Sequence, residues 1–293
     1  MAATSQQPLV SIVMSMRNVS ATVRDTIRSL QWQTLSDWEL VLFDDGSTDD
    51  SIAIVESIAD SRIHLHRDGQ CKGLATRLNQ AVDLARGRFI ARMDADDICF
   101  PDRLEKQVAY LESHPDVDLM ASGAVVFSGR DLIGVMPVGS DHQDIIRQSF
   151  RGFPFPHPTW CGRAQWFRAN PYDGSLGKTQ DQDLLLRSFG HSTFSGIPDV
   201  LVGYRQQKLE IGKLLRGRFN FSQSMWRHGR LRAPLSSVVG GIALQIGKAA
   251  ADTVMLGLGF NRWGQLRRLY PVPRDVQAKW PSLCDRLQSD DRK

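Results

Sequence analysis

The chain has 293 residues, 42% hydrophobic and 23% charged, with a formal net charge of +4. That composition excludes a disordered chain, and the scattered Cys71, Cys99, Cys161 and Cys284 exclude a disulfide framework or a CxxC zinc site. The charge is divided: residues 1–206 carry 20 Lys and Arg against 26 Asp and Glu, and residues 207–293 carry 16 against 6.

Such a split suggests two jobs, with an anionic partner surface for the basic region. The cysteine usage fits a reducing cytosol. The opening MAATSQQPLVSIV lacks the basic start and apolar core of a signal peptide. No run of about 18 uncharged apolar residues occurs, so a simple membrane span is not expected.

Pro8 to Met14 is short and apolar and predicts a buried strand. Ser20 is placed to cap a helix through Trp32, with Val23, Ile27 and Leu30 at helical spacing. Trp38 to Phe43 predicts a second strand that ends in Asp44-Asp45-Gly46-Ser47-Thr48-Asp49 and turns into a helix capped by Ser47 or Thr48. Arg62 to His66 predicts a third strand. Leu74 to Ala85 predicts a helix stopped at Gly87, and the strand from Arg88 follows. Pro101 to Ser113 predicts another amphipathic helix. Alternation of this kind argues for a mostly parallel sheet covered by helices.

The first strand–helix turn, Ser15 to Ala21, contains no glycine. It therefore carries neither the GxGxxG of a dinucleotide fold nor the GxxxxGK[ST] of a P-loop. Further on, Leu119–Phe127, Leu132–Val138 and Val200–Arg205 predict strands. Phe150 to Pro158 predicts an irregular loop, read either as a cavity wall or as a rigid packed segment. Thr179 to Phe189 predicts a helix that begins TQDQD.

The densest chemistry lies in RFIARMDADD, Arg88 to Asp97. Asp94, Asp96 and Asp97 fall within four residues, and carboxylates that close repel unless a cation sits among them. Hard oxygen ligands beside a phosphate-bearing substrate suit Mg²⁺ or Mn²⁺. The plainer alternative is an acidic loop in which Asp97 caps the next helix, with Pro101 in its first turn. After Lys208, Arg216, Arg218, Arg227, Arg230 and Arg232 are interleaved with Phe219, Phe221 and Trp226. Pro234 to Phe260 is mildly apolar, and Arg262, Arg267 and Arg268 follow beside Trp263 and Tyr270. This mixture suits an interfacial membrane segment or, alternatively, a helical annex with solvated arginines. No nucleic-acid-binding signature is present.

In order, PLVSIVMSMRN, WELVLFDDGSTDDS, GLATRLNQAVDLARGRFIARMDADD, PDRLEKQVAYLESHPDV and QDQDLLLR resemble the family 2 glycosyltransferases, from about Pro8 to Arg205. The resemblance implies a GT-A fold over residues 1–206, an α/β architecture with a mostly parallel nucleotide-binding sheet. Residues 207–293 would be a basic helical C-terminal extension. It implies a non-processive bacterial enzyme, inverting and dependent on Mn²⁺ or Mg²⁺. Such an enzyme moves one sugar from a nucleotide-sugar, most often a UDP-sugar, to a glycan or polyprenyl-diphosphate-linked acceptor in surface polysaccharide synthesis. The expected place is cytoplasmic, peripheral at the inner face of the cell membrane on an anionic surface, with no nucleic acid partner.

By position, Asp45 matches the carboxylate that recognises the base, and Ser15 lines the same nucleotide site. Asp94 and Asp96 form the DxD motif, with Asp96 on the metal and Asp94 on the ribose or a metal-bound water. Asp181 matches the catalytic base, and Asp183 is the alternative. Lys72 stands where it reads as a diphosphate or base contact, or as a plain surface lysine. His157 reads as an acceptor or metal contact, or as a histidine that holds its loop. The family's usual Glu-Asp pair is Gln180-Asp181 here, and the QxxRW motif of processive synthases is absent after Asp181. A non-catalytic scaffold with the same fold is the rival reading.

Overall fold

A computed structural model describes residues 7–206, 210–258 and 269–289. Among the described residues, nine strands form one mixed sheet in the order β3-β2-β1-β4-β8-β6-β9-β5, with β7 paired to β6. Strands β1 (Val10–Met16), β2 (Trp38–Asp44), β3 (Ile63–His66) and β4 (Phe89–Arg92) run parallel. β1 and β2 are buried on both faces, which is why they read as near-continuous apolar runs. Helices α1 (Val23–Gln31), α2 (Ser51–Glu56) and α3 (Leu74–Leu84) make the crossovers. All four strands therefore deliver their carboxyl ends to one edge.

The second half of the sheet is antiparallel in most of its pairings. β5 (Ile98–Cys99), β6 (Leu119–Ser128), β7 (Asp131–Met136), β8 (Cys161–Arg163) and β9 (Phe194–Arg205) build it, and β6 and β9 are the parallel pair within it. β5 and β8 are too short to show a period in the sequence. The same holds for α5 (His142–Arg147) and α6 (Ala164–Ala169), which flank the irregular loop. Between β5 and β6 runs α4 (Arg103–Ser113). α7 (Gln180–Ser188) precedes β9.

Several predicted caps give way to contacts between loops. Thr22, not Ser20, precedes α1, and Ser20 N–H donates to Asp49 Oδ2 at 3.0 Å. Asp50 precedes α2 in place of Ser47 or Thr48. Ser47 Oγ accepts from Asn18 N–H at 3.1 Å, and Thr48 N–H donates to Asn18 Oδ1 at 2.8 Å. The first two strand–helix loops are thus tied together. Asp97 caps nothing, because α4 starts after Asp102 and the Asp97 carboxylate accepts from Arg205 N–H at 2.8 Å. Gly87 lies where β1 passes so close that a Cβ would meet Ser11 N at 2.4 Å, so the approach of β4 to β1 requires glycine.

Apolar side chains fill three clusters. One lies between the sheet and α3, α6 and α7, and a second lies under α1, α2 and α4. The third contains Ile98, Phe100, Val125 and Phe127 together with Val276, Trp280, Leu283 and Leu287 of α10 (Arg274–Ser289). Trp280 lies 4.8 Å from the Phe127 ring and donates Nε1–H to Arg130 O at 2.8 Å. The last helix of the basic C-terminal region therefore returns to the sheet. Between them stand α8 (Ile211–His228) and α9 (Leu235–Gly257). Contrary to the reading of the sequence, α9 is long and apolar enough, by length and composition, to cross a membrane. Arg262, Trp263, Arg267 and Arg268 lie outside the described residues.

Candidate active site

The carboxyl edge of the parallel strands collects the predicted donor-side residues. Ser15, half-buried, is in register with Phe43 near the end of β1. Asp44 builds the turn after β2: its carboxylate accepts from Gly46 N–H at 3.0 Å and from Ser47 N–H at 3.1 Å, and Gly46 has φ +77°. Asp45 is buried and accepts from Lys72 N–H at 2.6 Å, Gly73 N–H at 3.0 Å and Arg77 Nε–H at 3.0 Å. The Lys72 ammonium is held on Asp68 at 2.7 Å, and Arg77 reaches the same carboxylate at 2.6 Å. Asp68 is held well below the usual carboxylate range by Arg77 first and then Lys72. Asp45 and Arg77 thus clamp the segment 68–73 over the ends of β1 and β2.

The end of β4 carries a second construction. Arg92 and Asp94, two apart, project to the same side, and the guanidinium forks onto the carboxylate at 2.8 and 2.5 Å. Arg92 is buried, and its Nε has no partner among the described residues. Asp94, Asp96 and Asp97 offer one oxygen each within 4.8 Å of one another. Asp97 is fully buried, and its Oδ2 has no hydrogen-bond partner among the described residues. Burial first, then Asp94 and Asp96, pushes its carboxyl well above the ordinary value. Three hard oxygen donors and an orphaned buried carboxylate oxygen fit a divalent cation such as Mg²⁺ or Mn²⁺.

Arg92 and Asp94 also line a cavity of about 970 Å³ that runs past Phe153 to His157, Asp181 and Tyr204 and out between α8 and α9. Asp181 sits half-buried in the first turn of α7. Burial pushes its carboxyl above the ordinary aspartate value, opposed by the Gln182 amide groups and Arg92. His157 Nε2 and the Tyr172 hydroxyl are 2.8 Å apart, and Trp160 meets the imidazole edge-on at 4.6 Å. Burial and the nearby Arg92 push His157 well below its ordinary value, so the imidazole is neutral. It lines the cavity and holds its loop at once.

Asp183, the alternative base of the sequence reading, is placed elsewhere. Its side chain points from α7 into α8, accepting from Ser224 Oγ–H at 2.7 Å and Arg187 Nε–H at 2.7 Å. It is 2% exposed and is not among the cavity residues. Helical spacing accounts for this, because residues two apart on a helix face different ways.

The sequence reading missed Arg92, Arg77, Tyr172 and Arg103. Arg92 was legible, since strand alternation sets it beside Asp94. Arg103 is buried in α4 and donates to Arg92 O at 2.7 Å and Pro158 O at 3.1 Å, joining β4 to the His157 turn. Nothing in the local pattern signals that bridge, nor the meeting of Tyr172 with His157.

The family model "Glycosyl transferase family 2" matches residues 11–170, more than half of the chain. The chain belongs to glycosyltransferase family 2. The amylovoran biosynthesis glycosyltransferase AmsE of Erwinia amylovora is 30% identical over 236 residues, 78% of this chain and 86% of that protein. The UDP-Glc:alpha-D-GlcNAc-diphosphoundecaprenol beta-1,3-glucosyltransferase WfaP of Escherichia coli is 37% identical over 105 residues, 36% of this chain and 42% of that one. Among solved structures, S. aureus TarS in complex with UDP-GlcNAc superposes with a TM-score of 0.62 at 16% identity, over 94% of this chain and 79% of that chain. The mannosyltransferase PcManGT of Pyrobaculum calidifontis, in complex with GDP-Man and Mn²⁺, gives 0.59 at 16%, over 97% and 86%. These neighbours establish the fold of this transferase as GT-A. Its relatives include enzymes of polysaccharide biosynthesis.

Proposed function

We propose that this transferase is inverting, metal-dependent and non-processive, and moves one sugar from a UDP-sugar to a glycan or polyprenyl-diphosphate-linked acceptor. The observation that carries the reading is that Asp94, a member of the carboxylate cluster, and Asp181 line one cavity. Asp96, with Asp94 and Asp97 beside it, would hold Mn²⁺ or Mg²⁺, which supplies Lewis-acid neutralisation of the leaving diphosphate when bound. The Mn²⁺ in the PcManGT complex and the UDP-GlcNAc in the TarS complex support the same assignment.

Arg92 fixes Asp94 by its bidentate fork and brings positive charge to the donor side of the cavity. Ser15, Asp45 and Lys72 border the nucleotide. Asp45 acts through the backbone of Lys72 and Gly73, which it orders, as much as through its own oxygens. Asp181 takes the proton from the acceptor hydroxyl as that oxygen attacks the anomeric carbon, and its raised proton affinity suits the task. His157, neutral and braced by Tyr172, borders the acceptor. A single displacement with one base inverts the centre. The enzyme works in surface polysaccharide synthesis at the inner face of the cell membrane.

The test is a donor panel with Mn²⁺, read as released UDP or GDP, with Asp96→Ala alongside. Turnover of one donor by the wild type, lost in Asp96→Ala, is the expected result. No nucleotide binding by the wild type would reject the reading in favour of a non-catalytic scaffold.

A further inference from the structure

Helix α9 carries its polarity inside out. Its charged residues, Lys248 and Asp252, and Gln245 all line the cavity. Lys248 Nζ donates to Arg151 O at 3.0 Å, and Asp252 accepts from Arg218 Nε–H at 3.0 Å. The outward face holds no charged residue at all. On it, Val239, Ile246, Val254 and Leu258 are between 51% and 66% exposed. A helix against water shows the opposite arrangement. Along the same unit, Phe219, Trp226 and Leu231 are also exposed, at 62%, 47% and 75%.

The exposed charge of this unit is one-sided. Residues 210–258 hold seven Lys and Arg and two carboxylates; Lys213, Arg218 and Lys248 line the cavity, and Arg216, Arg227, Arg230 and Arg232 are exposed. Both carboxylates are paired, Glu210 with Lys213 at 2.6 Å and Asp252 with Arg218. A second copy docked on this face would bring these cations against their own kind, whereas an anionic surface complements them. α9 does not stand free like a spanning helix. A Cβ added to Gly241 would lie 2.8 Å from the Phe150 Cβ, so the helix packs flush against the loop that walls the cavity.

We propose that α9 lies on an anionic lipid bilayer as an interfacial helix. Its uncharged face sits at the headgroup–acyl boundary, and its polar face forms the wall of the acceptor half of the cavity. The cavity then opens along the bilayer surface, and the acceptor is an amphiphile taken from the membrane, its head reaching Asp181 past Lys248 and Gln245. The choice of acceptor rests on the transferase reading above; the membrane contact does not.

The experiment is vesicle flotation of the full chain, with Mn²⁺-dependent UDP binding measured on the same samples. The wild type is expected to float with phosphatidylcholine–phosphatidylglycerol vesicles and far less with phosphatidylcholine alone. Val239→Asp/Ile246→Asp/Val254→Asp should reduce flotation about tenfold or more with UDP binding unchanged. Arg227→Gln/Arg230→Gln, which keeps the apolar face, should lose the preference for anionic vesicles. A wild type that stays with the soluble fraction, or a triple variant that floats equally well, overturns the proposal. So does a wild-type dimer that the triple variant converts to monomer, because a second copy would then cover the face. Flotation without UDP binding would leave the membrane contact standing and reject the proposed UDP-sugar donor instead.

Discussion

The two sides of the proposed site are built on different plans. The proposed donor side hangs on four parallel strands, and its carboxylates follow directly from strand ends: Asp45 after β2, and Asp94, Asp96 and Asp97 after β4, of which Asp94 reaches the cavity. The proposed acceptor side is assembled from pieces far apart in the chain. The turn at His157, the first turn of α7, and one face each of α8 and α9 meet only in space. A parallel sheet fixes where every strand ends, so the donor half is set by topology. The acceptor half depends on packing, with Phe150, Phe221, Met225 and Val238 seating α8 and α9 on the body.

The sharpest way to break the comparison is Asp181→Asn. It should lower kcat for transfer by about 10²–10⁴ while Mn²⁺-dependent UDP binding is kept, as steady-state kinetics and calorimetry can check. The wild type should also show an acidic limb in kcat/KM at a pH above that of an ordinary aspartate. Burial raises the proton affinity of Asp181, and only the ionised form accepts the proton. Loss of UDP binding in this variant would mean that the halves are not separable.

Trp280→Ala tests the return of the C-terminus to the body. Removing a buried tryptophan between Phe127 and Phe100 should cost about 3–5 kcal/mol in denaturant unfolding, in one transition shared with the catalytic body. Two separate transitions would show the C-terminal region to be independent. Asp183→Asn is the counterpart of Asp181→Asn: about 1–3 kcal/mol of stability lost through Ser224 and Arg187, with the pH limb of activity unmoved.

The smallest effect concerns His157. Its folded proton affinity lies below the unfolded value of about 6.5, so the unfolded chain binds the extra proton first. The stability contributed by the neutral imidazole is present above that pH and is lost as pH falls below it. His157→Gln should flatten this part of the profile, and thermal unfolding across a pH series would register the change.

The sequence determined the donor half almost by itself. Buried parallel strands write continuous apolar runs and acidic clusters follow β2 and β4, so β1 to β4, the carboxylates after them and the start of α7 were legible from local pattern. It did not determine which of two nearby aspartates faces the cavity, since Asp181 and Asp183 differ only in their direction from α7. Nor did it reveal the Arg92 fork, although strand alternation held the clue, or the Arg103 bridge and the Tyr172–His157 pair, which join residues with no shared period. The basic C-terminal region read as one unit, yet α10 entered the core through Trp280 while α9 turned its charges inward. Composition records how many charges a helix has. Only the neighbours it packs against decide which way they point.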